Sequence, residues 1–168
     1  MKTKKLVFLA VLTAISLILF MVENLFPPIF PFAPGVKLGL SNIILLFILI
    51  KYDYISALVV LIAKCLIAAF ITGFFSLYFS LTCGILALTL MFLLYKFLFP
   101  KIGIVVISVS GAILFNVCQL ILAAILYNAY PILYYIPIGS SVSILTGAVT
   151  GFALYLIVKY LPDRFLTD

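Results

Sequence analysis

The chain has 168 residues, of which 68% are apolar and only 8% are charged, and its formal net charge is +6. Soluble globular domains are about 45–50% apolar and about 25% charged, so the composition excludes that class and indicates an integral membrane protein. Histidine is absent, which excludes imidazole catalysis and histidine metal ligands. A membrane-spanning helix needs roughly 20 apolar residues, and the length therefore allows about six spans without a domain outside the membrane.

Six apolar runs, separated by polar residues, prolines and glycines, are predicted to be membrane helices. They cover residues 6–26, 36–50, 55–72, 74–95, 102–127 and 140–158. The first run follows three lysines, as in a signal peptide, but no small-residue cleavage site comes after it, so we expect it to be retained. The sequence thus predicts a single all-α membrane domain over residues 1–168, a bundle of six transmembrane helices.

Basic residues are distributed unequally between the two sides of the predicted bundle. Apart from Lys64, which falls within the third helix, one side carries only Lys37. The opposite side carries eight basic residues: Lys2, Lys4, Lys5, Lys51, Lys96, Lys101, Lys159 and Arg164. Because cytoplasmic loops of membrane proteins are enriched in Lys and Arg, we expect both termini to be cytoplasmic. The proline-rich residues 27–35 then lie on the outside.

Lys64 lies near the middle of its predicted helix, too deep for its side chain to reach either membrane surface easily. A lysine at the centre of a membrane helix costs about 2.5–3.5 kcal/mol on insertion scales, so it is expected to be paired or to face a wet cavity. Three interpretations are open. Lys64 forms a buried ion pair with Glu23, contacts an anionic substrate, or extends toward lipid or the cytoplasm.

Further polar residues are candidates for the same outward-facing pocket. Glu23 lies where the first helix ends, and Lys37 and Asn42 lie around the start of the second helix. Glu23 either neutralises a lysine or binds substrate, and Lys37 is either an interfacial lysine or a substrate ligand. Asn116 and Gln119 are three residues apart and therefore share one face of the fifth helix. These two amides either bond to a neighbouring helix or line the pocket.

Small residues mark two helix faces that permit close approach of another helix. Ala10 and Ala14 are four residues apart on the first helix and share one face. A second stripe, on the sixth helix, is interpreted as internal packing and consists of Gly139, Ser143, Gly147 and Gly151. The cysteines have no spacing typical of disulfides or metal sites, and we interpret them as small core residues: Cys65, Cys83 and Cys118.

The sequence PGVKLGLSN at residues 34–42, together with Glu23 and the proline-rich residues before it, looks like the signature of the Gx transporter family. That family is also labelled heptaprenyl diphosphate synthase component I, and it resembles the substrate-binding S components of energy-coupling factor (ECF) transporters. The resemblance implies a six-helix protein of the bacterial cell membrane that binds a vitamin-like or quinone-precursor micronutrient. It also implies that Ala10 and Ala14 dock on an ECF-like transmembrane coupling protein, which works with ATPases.

The sequence favours transport over catalysis. Prenyl diphosphate synthases need clustered aspartates to hold Mg²⁺, whereas the acidic residues here are dispersed: Glu23, Asp53, Asp163 and Asp168. We therefore expect no enzymatic activity, no metal or other cofactor and no nucleic-acid partner. The chain also lacks the Gly-x-x-x-x-Gly-Lys-Ser/Thr motif that binds ATP phosphates, so uptake needs an energised partner.

Two functional interpretations follow. The leading one is capture of a small substrate, expected to be anionic because of the lysines, for uptake through an ECF-type transporter. The alternative is a non-catalytic membrane anchor or scaffold subunit for isoprenoid-quinone synthesis or membrane redox machinery, without a ligand of its own.

Overall fold

A computed structural model describes residues 2–25 and 39–160, and these two stretches are built from helices without a β-strand. The helices are α1 (Lys2–Leu25), α2 (Asn42–Lys51), α3 (Tyr54–Thr72), α4 (Phe74–Leu98), α5 (Ile104–Leu126) and α6 (Ile136–Tyr160), with a 3₁₀ helix at Tyr130–Tyr135. The all-helical fold predicted from the sequence is confirmed.

Five helices within the described residues are long and apolar enough to cross a membrane. These spans are Thr3–Glu23, Tyr54–Thr72, Ser76–Leu98, Ile104–Leu126 and Tyr130–Tyr160. The chain is therefore a multi-pass membrane protein. The second helix differs from the six-span prediction, because the 10 residues of α2 extend only about 15 Å, half of a bilayer core of about 30 Å.

The starts of two helices differ from those predicted. α2 begins at Asn42 after a turn at residues 39–41, and the predicted start at residue 36 lies outside the described residues. Residues 128–139 were expected to form a loop, but they contain the 3₁₀ helix, and α6 begins at Ile136. Pro131 and Pro137 are each the second residue of one of these helices. Proline is tolerated there because the first turn of a helix has no intrahelical acceptor for its N–H groups.

α2 lies at the centre of the bundle, where it contacts every other α-helix. Its five central residues are all buried: Leu45, Leu46, Phe47, Ile48 and Leu49. A helix that is apolar on every side in this way belongs in an interior. Among the described elements, α1 packs only on α2 and α3, whereas α3 to α6 pack each against the next in chain order. α1 is thus a peripheral helix, held by two neighbours.

The start of α1 and the connection between α2 and α3 lie at the same end of the bundle. Lys5 Nζ forms a 3.1 Å salt bridge with Asp53, and Lys51 Nζ lies 4.4 Å from the centre of the Phe8 ring. The hydrogen bond from Lys5, and after it the one from Ser56, hold the pKa of Asp53 below its usual value of 3.8. This end therefore gathers charged groups from α1, from α2 and from the residue that precedes α3.

Small residues bring α5 and α6 into close contact. A Cβ atom added at Gly147 would lie 2.7 Å from the Cα atom of Val109, and one at Gly151 would lie 2.8 Å from the Cα atom of Val105. Such distances leave no room for a side chain, so glycine allows the two backbones to touch. The interpretation of this stripe as internal packing is confirmed.

The cysteines are core residues, as predicted, and two of them meet. Cys83 on α4 and Cys118 on α5 pack into the same buried cluster, together with Ala87 and Phe115. The sequence did not predict that Cys83 and Cys118 lie together, because they are far apart in the chain and are brought together by the packing of α4 against α5.

Candidate functional site

Lys64 is directed into the protein from the middle of α3. Its side chain is only 5% exposed, and its Nζ atom donates a 3.0 Å hydrogen bond to Ser41 Oγ at the start of α2. On the same helix, Val59 and Leu66 are exposed on the outer face. This burial excludes the interpretation in which Lys64 extends to lipid, because the ammonium lies among helices and has a protein partner.

Glu23 reaches the same region from α1. Its side chain is 7% exposed, and its carboxylate accepts a hydrogen bond from the backbone N–H of Gly39. Gly39 has a φ of +75°, a left-handed conformation that glycine adopts without steric penalty. From the same helix, Ser16 Oγ donates a 3.5 Å hydrogen bond to the carbonyl oxygen of Ser41. Two side chains of α1 therefore hold the turn that leads into α2.

A small polar cavity lies where these groups meet. It is lined by Phe20 and Glu23 of α1, Gly39 and Ser41 of the turn, Asn42 of α2, Lys64 of α3, Ser80 of α4 and Phe115 of α5. Its volume is about 10 Å³, which is roughly the space for one water molecule. An acidic and a basic side chain thus face one cavity, deep among apolar helices.

Asn42 adds an unused hydrogen-bond donor to this cavity. Its Nδ2 atom is buried, and it has no hydrogen-bond partner among residues 2–25 and 39–160. A buried polar group without a partner costs about 1–3 kcal/mol, so such groups are uncommon in folded proteins. Lys64 has three N–H donors, and the hydrogen bond to Ser41 uses one of them. The cavity is therefore lined by several hydrogen-bond donors, among them Asn42 Nδ2 and the Lys64 ammonium.

The two amides predicted on α5 lie outside the lining of this cavity. Asn116 Nδ2 donates a 2.5 Å hydrogen bond to Ser143 Oγ of α6, which is the interhelical bond expected from the packing alternative. Gln119 is buried, and its Oε1 atom has no hydrogen-bond partner in the described part of the chain. The residue that α5 contributes to the cavity is Phe115.

Several lining residues were not identified from the sequence. Ser41 and Ser80 are polar residues within apolar runs, a pattern that could have identified them from the sequence. The sequence did not distinguish Phe20 and Phe115 as lining residues, because aromatic residues are common in every predicted helix. Lys37, a predicted substrate ligand, lies outside the described residues.

Ala10 and Ala14 lie on the outer surface of α1, away from the cavity. Both are exposed, as are Val7 and Val11 beside them. In the described residues, this face of α1 packs against no other helix of the chain, since α1 contacts only α2 and α3 through its opposite side.

Comparison with known proteins identifies a family. A family model described as heptaprenyl diphosphate synthase component I matches residues 12–157, which is most of the chain. No curated protein matches the sequence. The matched residues include all of the described residues that line the cavity.

Proposed function

This chain belongs to the heptaprenyl diphosphate synthase component I family, also called the Gx transporter family, and on that premise we propose that it is the substrate-binding subunit of an ECF-type transporter. In this proposal the protein spans the bacterial cell membrane with both termini in the cytoplasm. Its cargo is a vitamin-like or quinone-precursor micronutrient. The family description names a component of a synthase, and the proposed role within any such assembly is non-catalytic.

The observation that carries the proposal is the burial of Lys64 against a small cavity that is lined by residues of five helices, several of them polar. A charged residue deep in a membrane protein is costly to insert, and such residues usually mark a substrate or ion pathway. The cavity also contains Asn42 Nδ2, a donor without a hydrogen-bond partner in the part of the chain that the structure describes. Convergent polar groups in a mostly apolar surrounding are typical of small-molecule sites.

Cargo binding requires the cavity to widen, because its volume of about 10 Å³ is close to that of a single water. We expect α1 to move, since among the described helices it packs on α2 and α3 alone. Its hold on the α2 turn depends on the hydrogen bonds of Glu23 and Ser16. As α1 moves outward, cargo replaces Ser41 as the partner of Lys64. Motion of one helix within a packed bundle is a common form of ligand-linked opening.

Energy for uptake comes from partners in this proposal. The exposed Ala10 and Ala14 face of α1 docks on the transmembrane coupling protein, which connects the subunit to ATPases. Small residues suit this role, because they allow a partner helix to approach the backbone closely in a membrane.

Native mass spectrometry of the full-length protein in lipid nanodiscs tests the proposal. We expect wild-type protein to retain a small molecule that the Lys64→Met variant loses, and the Lys159→Met variant, altered at an exposed end of α6, to retain it. If wild-type protein carries no small molecule yet co-purifies with prenyl synthase or redox subunits, the protein is an anchor and substrate capture is wrong.

A further inference from the structure

Three exposed lysines lie where neighbouring helices end or begin. Lys96 is in the last turn of α4, Lys101 is in the connection to α5, and Lys159 is in the last turn of α6. A Cβ atom added at Gly151 of α6 would lie 2.8 Å from the Cα atom of Val105, so the end of α6 lies beside the start of α5. The three lysines therefore share one corner of the bundle, which we call the basic corner.

The helices that carry the basic corner contain no acidic residue. Residues 54–162 include no Asp or Glu, and residues 161–168 contain one arginine and two aspartates. If this C-terminal segment lay entirely against the corner, three lysines and one arginine would still face only two aspartates. The corner is therefore positively charged wherever residues 161–168 lie.

Asp53 lies at the same end of the bundle, but its charge is balanced by another helix. The centre of the Tyr54 ring at the start of α3 is 5.0 Å from that of the Phe92 ring near the end of α4, which places Asp53 at this end. Its carboxylate forms a 3.1 Å salt bridge with Lys5 of α1. In the part of the chain that the structure describes, no acidic side chain forms a salt bridge with a lysine of the basic corner.

The three lysines lie at the level where the helices leave the acyl chains of the membrane. Each is within three residues of the end of a membrane span. Lys96 Nζ lies 5.8 Å from the centre of the Phe97 ring, and Lys159 Nζ lies 5.8 Å from the centre of the Tyr160 ring. Both rings are largely exposed. Aromatic rings and lysines at helix ends are typical of the boundary between lipid and water, so these ammonium groups are expected among lipid headgroups.

We propose that the basic corner binds the phosphodiester headgroup of an anionic phospholipid. Lysine binds phosphate as a point charge, and lysines close to a membrane surface attract anionic headgroups. The corner is separate from the cavity, whose described lining residues include none of these lysines. The proposal therefore goes beyond the proposed function, and it holds equally for a transporter subunit and for an anchor.

The apolar surface next to the lysines favours a lipid over an acidic protein. Leu93 of α4 and both Phe152 and Tyr155 of α6 are exposed within the spans, so they face acyl chains. A phospholipid carries its charge next to apolar chains and can therefore contact the lysines and these side chains together. An acidic protein outside the membrane would meet the lysines alone.

Nanodiscs that contain equal amounts of phosphatidylglycerol and phosphatidylcholine, with identical acyl chains, test the proposal. Native mass spectrometry of full-length protein released from them counts the bound lipids of each class. We expect wild-type protein to retain phosphatidylglycerol in preference. The Lys96→Gln/Lys159→Gln variant should lose about fivefold of this preference for each lysine removed.

The matched control is Lys2→Gln/Lys4→Gln, which removes the same charge from the start of α1. It should keep the preference for phosphatidylglycerol, because among the described helices α1 packs on α2 and α3 and on none of those that carry the corner. The Lys96→Gln/Lys159→Gln variant should also retain any cargo, because neither lysine is among the described residues that line the cavity. Loss of lipid is thus distinguishable from loss of cargo by mass.

Equal retention of the two lipids by wild-type protein overturns the proposal, as does an equal loss of preference in the control variant. Displacement of phosphatidylglycerol by inorganic phosphate at constant ionic strength overturns it in favour of a free phosphate ion. Weaker co-purification of the Lys96→Gln/Lys159→Gln variant with a protein partner, without lipid preference in wild-type protein, overturns it in favour of that partner.

If the Lys96→Gln/Lys159→Gln variant does not fold, a phosphatidylglycerol with a photoreactive headgroup decides on wild-type protein. Peptide mass spectrometry then locates the crosslinks. Crosslinks to the last turns of α4 and α6 support the proposal, and crosslinks confined to other helices overturn it.

Discussion

The Nζ atom of Lys64 lies 3.0 Å from Ser41 Oγ, and this hydrogen bond joins the middle of α3 to the start of the central helix α2. The same turn is held from α1 by Glu23 and Ser16. One short segment therefore connects three helices, and each connection is polar within an apolar bundle. This junction positions the wall of the cavity. Because three helices meet in it, we expect the position of the wall to change when a molecule binds in the cavity.

Replacing Ser41 by Ala removes the hydroxyl that accepts from Lys64. We expect the free energy of unfolding to fall by about 1–3 kcal/mol, because a buried donor loses its partner. Ser110→Ala is the control, since Ser110 Oγ donates a hydrogen bond within its own helix, to the carbonyl of Val106. Thermal unfolding of both variants in detergent measures the difference. Equal stability of the two variants would show that the Lys64 contact contributes nothing.

Gly147→Ala tests the contact between α5 and α6. The new methyl group would meet the backbone of Val109 at 2.7 Å, and overpacking of this kind costs about 1–3 kcal/mol. Gly103→Ala is the matched control, because nothing lies within 4 Å of its Cβ position. Unfolding by SDS titration should separate the two variants. A Gly147→Ala protein as stable as Gly103→Ala contradicts the packing described here.

The neighbouring thiols of Cys83 and Cys118 should form a disulfide when a membrane-permeable oxidant is added. We expect the bond because the two cysteines lie in one buried cluster between α4 and α5, and peptide mass spectrometry detects it. Cys65→Ser should crosslink normally, since Cys65 lies in a different buried cluster. Crosslinking that persists in Cys83→Ser protein would place another cysteine beside Cys118.

Leucine at Ala10 or Ala14 should prevent docking on the coupling protein without unfolding the bundle. Both positions are exposed, so the larger side chains meet no atoms of the chain's own core. Co-purification with the coupling protein should fall at least about tenfold if close helix contact is lost, while thermal stability stays unchanged. Val149→Leu, on the exposed face of α6, is the control. Undiminished co-purification of Ala14→Leu would rule out this docking face.

The salt bridge between Lys5 and Asp53 should contribute stability that depends on pH. The pKa of Asp53 is lower in the folded protein, so the contribution is complete above the usual value of 3.8 and is lost as pH falls through the lowered value. The pair is half exposed, and we expect Asp53→Asn to cost less than about 1 kcal/mol at pH 7. Thermal unfolding at pH 7 and at low pH measures this.

A Lys5→Met variant should show the same loss as Asp53→Asn, and the double variant should show little more. Losses that add fully in the double variant would mean that the two side chains do not interact. At low pH, where Asp53 is protonated, the effects of the two substitutions should likewise be additive, because the salt bridge is absent.

Three features of this protein were predictable from the sequence. The high apolar content dictates a helical membrane protein, because lipid offers no hydrogen-bond partner and a helix satisfies its backbone internally. Lys64 was identifiable as a candidate site residue because a charged residue in the middle of an apolar run is costly to insert into a membrane in any orientation. The small residues of α6 predicted close packing, since Gly147 and Gly151 share one face.

Which side chains contact one another was not predictable from the sequence. Nearly every helix is apolar on all sides, so periodicity does not reveal which face is buried. For Asn116 and Gln119 the sequence therefore left open a bond to a neighbouring helix and a place in the pocket, and the structure shows Asn116 bonded to α6.

What the sequence determined by itself was the class of the protein and the cost of its buried charges, because both depend on composition and on transfer from water to lipid. The tertiary structure decided that Glu23, Asn42 and Lys64 share one cavity and that Cys83 meets Cys118. Those contacts join residues that are distant in the chain, and they exist only because α2 fills the centre of the bundle while the other helices pack around it.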